Sequence, residues 1–129
     1  MNPVVHFEMP YKNKKRLAKF YTDTFGWKMN YLEKNMMGYI HATTSPKDKN
    51  NRPKTPGTIN GGFFPKTPDW SYPSVVIAVK NISLAMKNIK KAGGKVLGKP
   101  AIIPGNGKYV SFIDTEGNRV SIIEPSPMK

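Results

Sequence analysis

The sequence contains no cysteine, so disulfide bonds, thiolate metal sites and a cysteine nucleophile are excluded. It also lacks any apolar run near the ~20 residues that a membrane-spanning helix needs. The first residues, Met1-Asn2-Pro3, do not show the charged and then apolar layout of a secretion signal. We therefore expect a cytoplasmic protein that does not act in a membrane.

Acidic residues are scarce, because 8 Asp and Glu stand against 21 Lys and Arg, a formal net charge of +13. Such a basic protein attracts acidic small molecules, nucleic acids and other anionic partners. Only three of the cations are arginine, namely Arg16, Arg52 and Arg119. The planar guanidinium suits bases and phosphates best, whereas scattered lysine often only solvates a surface. Nucleic acid is therefore a disfavoured partner, and an anionic small molecule is favoured.

What is present is the pattern of one globular domain of 129 residues, 38% of them hydrophobic. Its first half predicts a strand from Val4 that ends at Pro10, then a helix from the N-cap Asn13 to a stop at Gly26. The other predictions for this half are strands over 27–33 and 36–43 joined by a turn at Lys34-Asn35, a proline-rich loop over 45–56, a strand over 58–65 and a linker over 66–73.

The second half repeats this pattern. The expected elements are a strand over 74–80, a helix from Asn81 that ends at Gly93-Gly94, and strands over 95–103, 108–114 and 118–125. Residues 6–13 align with 74–81, and 61–65 align with 121–125. The sequence thus predicts an α+β fold with two tandem βαβββ modules, residues 3–65 and 74–125 of a single domain 1–129, forming a cup-shaped mixed sheet with the helices outside.

Several short stretches carry a resemblance to a known family. They are His6-Phe-Glu-Met, the helix end Phe20-Tyr21-Thr-Asp-Thr-Phe25-Gly26-Trp27, Asn60-Gly61-Gly62, Ala92-Gly93-Gly94-Lys95-Val96, and Asp114-Thr-Glu-Gly117-Asn118 before Glu124-Pro125. In this order and spacing the chain resembles the vicinal oxygen chelate superfamily, which includes glyoxalase I, bleomycin-resistance and fosfomycin-resistance proteins and extradiol dioxygenases. The resemblance covers nearly all of positions 4 to 125 and implies the same fold, with homodimers common.

The resemblance also implies where a divalent metal would bind. Metal-dependent members carry ligands on the first and last strand of each half, and these positions correspond to His6, Ser74, a residue near Gly61, and Ser121. Only His6 is of the ligand type, so three of the four expected ligands are absent and we expect no metal cofactor of the family's kind. Glu124 lies three residues beyond Ser121 and alternates to the opposite face of the strand.

Strand alternation indicates which side chains point into the predicted cup. His6 and Glu8 share one face and are the candidate acid/base pair, but a hydrogen-bonded or ionic pair of purely structural role is the favoured interpretation, because no nucleophile or electrophile-stabilising group is identified. His41 is interpreted as a packed or surface residue, and Phe20, Tyr21 and Phe25 as core. The candidate ligand-binding residues of the second half are Ser74, Tyr109, Ser111, Arg119 and Ser121.

Three functions are compatible with these residues. The first is a glyoxalase- or bleomycin-resistance-like protein that binds a small organic, anionic or aromatic, ligand in the cup without the usual metal centre. The second is a lyase or isomerase that uses His6, Glu8 and water ligands around a divalent ion. The third is a basic nucleic-acid-binding module, which the absence of a recognised motif and of exposed aromatic residues among the lysines disfavours.

Overall fold

The computed structural model describes residues 1–31, 38–103 and 105–127. Within these residues the chain forms eight β-strands and two α-helices. In chain order they are β1 (Val4–Tyr11), α1 (Lys14–Phe25), β2 (Lys28–Tyr31), β3 (Ile40–Thr43), β4 (Asn60–Pro65), β5 (Ser74–Ala78), α2 (Ile82–Lys91), β6 (Lys95–Ile103), β7 (Gly107–Ile113) and β8 (Arg119–Pro125). The predicted turn at Lys34-Asn35 lies outside the described residues.

The elements form two compact units, each with a βαβββ order. The first unit comprises His6–Pro73, and the second comprises Met1–Val5 together with the chain from Ser74 onward. The division falls within β1, and the N-terminal residues belong to the second unit because the backbone N–H of Ala78 donates to the carbonyl of Pro3 at 2.9 Å.

The first unit orders its strands β2-β3-β4-β1, with β1 and β4 parallel and the other neighbours antiparallel. Helix α1 begins where the Asn13 side chain accepts a hydrogen bond from the backbone N–H of Arg16 at 2.9 Å. It ends at Gly26, whose left-handed backbone with φ of 73° costs little in a residue without a Cβ. Both ends lie where the sequence predicts them.

Helix α1 covers one face of this sheet. The core between them consists of Ile40, Ala42 and Phe63, which are buried, and the partly buried Phe7, Met9, Tyr11, Leu17, Tyr21, Trp27 and Met29. Because neighbouring residues on a strand point to opposite faces, the alternate residues lie on the face away from the helix. We call this the distal face of the first unit, and it carries His6, Glu8, Tyr39, His41, Asn60 and Gly62.

The second unit orders its strands β5-β8-β7-β6 and packs α2 against one face. Its core joins Val79, Ile82, Val110 and Ile122 with the partly buried Ile77, Ala85, Met86, Ile89, Val96 and Phe112. The alternate strand residues form the distal face of the second unit, which carries Val76, Tyr109, Ser111, Ser121 and Ile123. The predicted α+β fold with two βαβββ modules is confirmed.

Two local predictions are wrong. Strand β1 does not end at Pro10 but runs through it to Tyr11. The carbonyl of Tyr11 accepts a hydrogen bond from the backbone N–H of Lys66, the residue that follows the end of β4. The backbone nitrogen of Pro10 therefore points away from β4, and no hydrogen bond of that ladder is lost.

The aromatic side chains of α1 are also not all in the core. Phe20 is 55% exposed and Phe25 is 60% exposed, whereas Tyr21 packs into the core between Trp27 and Phe63. Neighbouring residues on a helix are about 100° apart around its axis, so Phe20 and Tyr21 cannot both face a narrow sheet.

Neither α1 nor α2 is long and apolar enough to cross a membrane, and no other helix occurs in the described residues.

Candidate functional site

Gly62 determines the arrangement of the distal face of the first unit. In the sheet it is the partner of both Glu8 on β1 and His41 on β3. Because Gly62 has no side chain, the ring of Tyr39 lies over it, and a Cβ at this position would overlap that ring. The Tyr39 hydroxyl donates a hydrogen bond to Oε2 of Glu8 at 3.0 Å. Glu8 is 2% exposed, so this hydrogen bond compensates part of the cost of burying its carboxyl group.

Two histidines meet on the same face. The imidazole rings of His6 and His41 are 6.3 Å apart between centroids, in an edge-to-face arrangement. Burial lowers the pKa of His41 to about 4, with further contributions from Lys47 and His6. Burial, and then the positive charge of Lys47, also lowers the pKa of His6. Both rings are therefore mainly neutral near pH 7, where each offers one N–H donor and one nitrogen acceptor.

Lys47 lies in the loop over 45–56, for which the sequence shows only a proline-rich composition. The loop is ordered by its own hydrogen bonds, since Oδ1 of Asp48 accepts from the backbone N–H groups of Asn50 at 2.7 Å and Arg52 at 3.1 Å. Lys47 is half-buried and forms an isolated bridge with Pro53. The loop thus places the positive charge of Lys47 close enough to lower the pKa of both histidines.

The second unit carries a chain of three hydroxyl groups on its distal face. The Tyr109 hydroxyl is 2.7 Å from Oγ of Ser121, which is in turn 2.8 Å from Oγ of Ser111. Ser121 is completely buried. Of the two other sequence-predicted residues of this half, Arg119 begins β8 and is half-buried, and Ser74 begins β5 with a hydroxyl that is buried without a hydrogen-bond partner among the described residues.

The structure brings together some predicted residues and adds others. His6 and Glu8 lie on one face as predicted, and Tyr109, Ser111 and Ser121 are directly connected. The added residues, for which the sequence predicts no functional role, are His41, Tyr39 and Lys47. His41 could have been found from strand alternation, because it lies between the core residues Ile40 and Ala42 and so points to the opposite face. The position of Lys47 depends on the path of a loop, which has no periodic pattern in the sequence.

The amino-acid sequence matches the family model described as Glyoxalase/Bleomycin resistance protein/Dioxygenase superfamily over residues 4–122. The chain belongs to this superfamily. Its fold is similar to that of the hypothetical protein BH1468 from Bacillus halodurans C-125, with a TM-score of 0.69 and 14% identity over 99% of this chain and 97% of that one. The comparison with curated proteins found no match.

Two other similar structures are methylmalonyl-CoA epimerases. The enzyme from Mycobacterium tuberculosis has a TM-score of 0.66 and 12% identity, over 96% of this chain and 88% of that one. A methylmalonyl-CoA epimerase in complex with methylmalonyl-CoA and NH4+ has a TM-score of 0.70 and 13% identity, over 100% of this chain and 98% of that one. At these identities the similarity shows the superfamily fold alone.

The strand register corrects one of the four positions that the superfamily resemblance implies for a metal. Gly61 points towards the helix side, where a Cβ would overlap the Phe7 ring. Gly62 pairs with Glu8 as Ser121 pairs with Val76, so Gly62 is the counterpart of Ser121. A shift of one residue changes the face of a strand, which is why aligned letters misplace it.

The side chains at these positions do not fit the superfamily's metal centre. Gly62 has no donor, and the Tyr39 ring occupies the space that a side chain there would need. Ser121 is hydrogen-bonded to Tyr109 and Ser111. Oε1 of Glu124 accepts from the backbone N–H of Ile82 at the start of α2, at 3.0 Å. Within the described residues no three His, Asp or Glu side chains form a group that could hold a metal ion.

Proposed function

We propose that this protein binds a small organic anion on the distal face of its first unit, without the superfamily's four-ligand metal centre. The observation that carries this proposal is the cluster of His6, His41 and Lys47. It combines one ammonium group with two imidazoles whose rings are 6.3 Å apart. A net charge of +13 favours the approach of an acidic ligand.

The neutral state of the histidines gives this binding a characteristic pH dependence. An anion beside an imidazole stabilises its protonated form, so binding raises the lowered pKa values of His6 and His41. The complex then takes up protons. We expect a tighter Kd at pH 6 than at pH 8, and a binding enthalpy that changes with the ionisation enthalpy of the buffer.

The test is a thermal-shift screen of carboxylic acids and acyl-CoA thioesters, followed by calorimetry on the ligands found. Methylmalonyl-CoA belongs in the panel because one solved structure of the same fold holds it. A ligand at 100 times its Kd stabilises the native state by about 2.7 kcal/mol, which is readily measured. Absence of any stabilising organic anion would contradict the proposal.

A matched pair of variants assigns the binding to this face. Lys47→Gln and Lys49→Gln remove the same charge from the same loop, but Lys49 is exposed, whereas Lys47 is half-buried and lowers the pKa of both histidines. We expect Lys47→Gln to weaken binding about tenfold and Lys49→Gln to change it less than twofold. Equal effects would indicate only long-range attraction by the basic surface.

The candidate contacts in the second unit are tested independently. We propose that Ser74, Tyr109, Ser111, Arg119 and Ser121 contribute hydrogen bonds to a ligand, supported by the connected hydroxyl chain of Tyr109, Ser121 and Ser111. Tyr109→Phe removes one hydroxyl while keeping the ring, so it should weaken binding of an oxygen-rich ligand without unfolding the protein.

The superfamily resemblance also leads us to expect a homodimer, and size-exclusion chromatography with light scattering tests this expectation.

The metal-dependent lyase or isomerase makes the opposite prediction. It requires that His6 and Glu8 hold a divalent ion, that chelators abolish activity, and that His6→Ala abolishes metal-dependent stabilisation. Oε2 of Glu8 already accepts a hydrogen bond from Tyr39, which does not favour Glu8 as a metal ligand. Stoichiometric metal in the purified protein, lost in His6→Ala, would establish it in place of the metal-free proposal.

A specific observation keeps nucleic acid as a second candidate. The sequence disfavours this function partly because it predicts no exposed aromatic residues among the lysines, but Phe20, Phe25 and Tyr31 are 55%, 60% and 50% exposed. Nζ of Lys14 lies 5.9 Å from the centroid of the Tyr31 ring. Exposed rings among cations are typical of surfaces that stack single-stranded bases. Binding of a labelled oligonucleotide at physiological salt that is lost in Phe20→Ser would support this second function.

A further inference from the structure

Asn60 is a buried amide at the start of β4. It is 1% exposed, and its Oδ1 accepts hydrogen bonds from the backbone N–H groups of Thr44 at 2.7 Å and Ser45 at 2.9 Å. The Thr44 hydroxyl lies 3.4 Å from the same oxygen. Asn60 therefore fastens the start of the 45–56 loop to the sheet.

These bonds fix which way the amide points. A backbone N–H can only donate, so the atom that it meets must be Oδ1, and exchange of the amide oxygen and nitrogen is excluded. Nδ2 of Asn60 is thus a donor held in one direction. It is buried and has no hydrogen-bond partner among the described residues. A buried donor without an acceptor costs about 1–3 kcal/mol, so its presence requires an explanation.

The location of Asn60 supplies one. Asn60 is the direct sheet partner of His6 in the parallel pair of β1 and β4. Both side chains lie on the distal face, and neighbouring strands are about 4.8 Å apart, so the amide is a neighbour of the His6 imidazole. Thr44 and Ser45, which hold Asn60, immediately precede the loop segment that carries Lys47. The unpartnered donor therefore lies on the same face of the sheet as His6 and His41, on the strand between β1 and β3.

We infer that Nδ2 of Asn60 donates a hydrogen bond to a carboxylate oxygen of the bound ligand, and that the ligand class is a small monocarboxylic acid. This inference rests on the proposed function and names its ligand class. One ammonium group, together with imidazole and amide N–H donors, matches a single negative charge better than the two charges of a phosphate monoester. The ligand oxygen supplies the acceptor that the buried amide lacks.

The first test observes Asn60 directly in the wild-type protein. The side-chain amide signals of Asn60 in a ¹⁵N–¹H spectrum are assigned by their loss in Asn60→Asp. Titration with phenylpyruvate, benzoate and inorganic phosphate should move the Asn60 signals downfield with the carboxylates and leave them in place with phosphate. Unchanged Asn60 signals on saturation with a bound carboxylate would overturn the inference.

The second test separates the donor from the loop anchor. Asn60→Asp keeps an oxygen acceptor for Thr44 and Ser45, but it replaces the donor with a second oxygen and introduces a carboxyl charge, and both changes oppose a bound carboxylate. Thr44→Val removes the hydrogen bond that this hydroxyl donates to the Ile59 carbonyl at 2.5 Å and its 3.4 Å contact to Oδ1, and it leaves the Nδ2 donor in place. We expect at least a tenfold weaker Kd for the carboxylate in Asn60→Asp and less than a threefold change in Thr44→Val.

The outcomes distinguish this inference from the proposed function. If wild type binds a carboxylate, Lys47→Gln weakens it and Asn60→Asp does not, the inference fails while the proposed function stands. Tighter binding of phosphate than of any carboxylate would overturn the ligand class. If no organic anion binds to wild type, the proposed function itself fails.

Discussion

The Tyr39 hydroxyl reaches Oε2 of Glu8 at 3.0 Å by lying across Gly62, the strand residue between them. This relationship links residues 31 positions apart in the sequence. It exists because β4 has a glycine at the position where it pairs with both Glu8 and His41. The buried carboxyl group of Glu8 on β1 thus accepts a hydrogen bond from Tyr39, the residue that precedes β3.

Replacement of Tyr39 by Phe tests the contribution of this hydrogen bond. Because the acceptor is a buried carboxyl group, its loss should lower the free energy of unfolding by about 1–3 kcal/mol. Tyr72→Phe is the matched control, since Tyr72 is 79% exposed and should tolerate the same change. Denaturant unfolding of both variants measures the difference, and equal stability would show that the Tyr39 hydroxyl contributes nothing.

Gly62→Ala should disturb the same contact from the other side. The added methyl group overlaps the Tyr39 ring, which must turn away from Glu8. We expect a loss of about 1–3 kcal/mol through the broken hydrogen bond. In a Tyr39→Ala background the ring is gone, so Gly62→Ala should cost much less. A double-mutant cycle without coupling between the two positions would contradict this explanation.

His41 should make the protein less stable in acid. Its pKa is about 4 in the folded protein against an ordinary value of 6.5, so the unfolded chain binds more protons between these values. Stability then rises with pH across this window and is lost as the pH falls, by up to about 3 kcal/mol from pH 7 to pH 4. His41→Asn should flatten the dependence of unfolding free energy on pH. If the unfolding free energy of wild type and of His41→Asn changed equally with pH, His41 would not be the source of the acid sensitivity.

Glu124 is expected to stabilise the start of α2. Its Oε1 accepts from the N–H of Ile82, and the Asn81 side chain accepts from the N–H of Leu84 at 2.9 Å. The first turn of α2 has no acidic residue of its own, so Glu124 supplies the favourable negative charge. Glu124→Gln should cost about 0.3–1 kcal/mol and Asn81→Ala about 1 kcal/mol. Glu116→Gln, at an exposed turn, is the control for thermal unfolding.

Ser121→Ala should break the hydroxyl chain of the second unit at its centre. Both Tyr109 and Ser111 lose a partner, and Ser111 is only 5% exposed, so we expect a loss of about 1–3 kcal/mol. Ser83→Ala, on the exposed side of α2, should be nearly neutral. The double variant with Ser111→Ala should cost less than the two single losses combined, because the serines share a hydrogen bond. Strict additivity would argue against a connected chain.

Much of the fold was predictable because its signals are local. Asn13 and Asn81 cap their helices, Gly26 ends the first one, and alternation correctly separates Glu124 from Ser121 on β8. These features depend on a few neighbouring residues. The hydrophobic positions of α2, Ile82, Ala85, Met86 and Ile89, have helical spacing in the sequence and also reach the core.

The candidate site was less predictable because it depends on long-range register. Nothing in the local sequence specifies that Gly62, rather than Gly61, pairs with Glu8, or that the Tyr39 ring fills the space above it. Lys47 reaches the histidines through the fold of a loop, and the loop is held by Asn60 further along the chain. Such contacts join segments whose individual patterns contain no information about each other.

The Tyr39 ring above Gly62 also limits how this scaffold can be redesigned. A carboxylate introduced at position 62 would meet the ring, and removing the ring would withdraw a hydrogen bond from buried Glu8. Glu124 cannot be recruited as a replacement because it faces α2 and accepts from that helix's first N–H. Installing a carboxylate ligand at position 62 would therefore require coordinated changes at Gly62 and Tyr39, and each change alone is expected to cost stability.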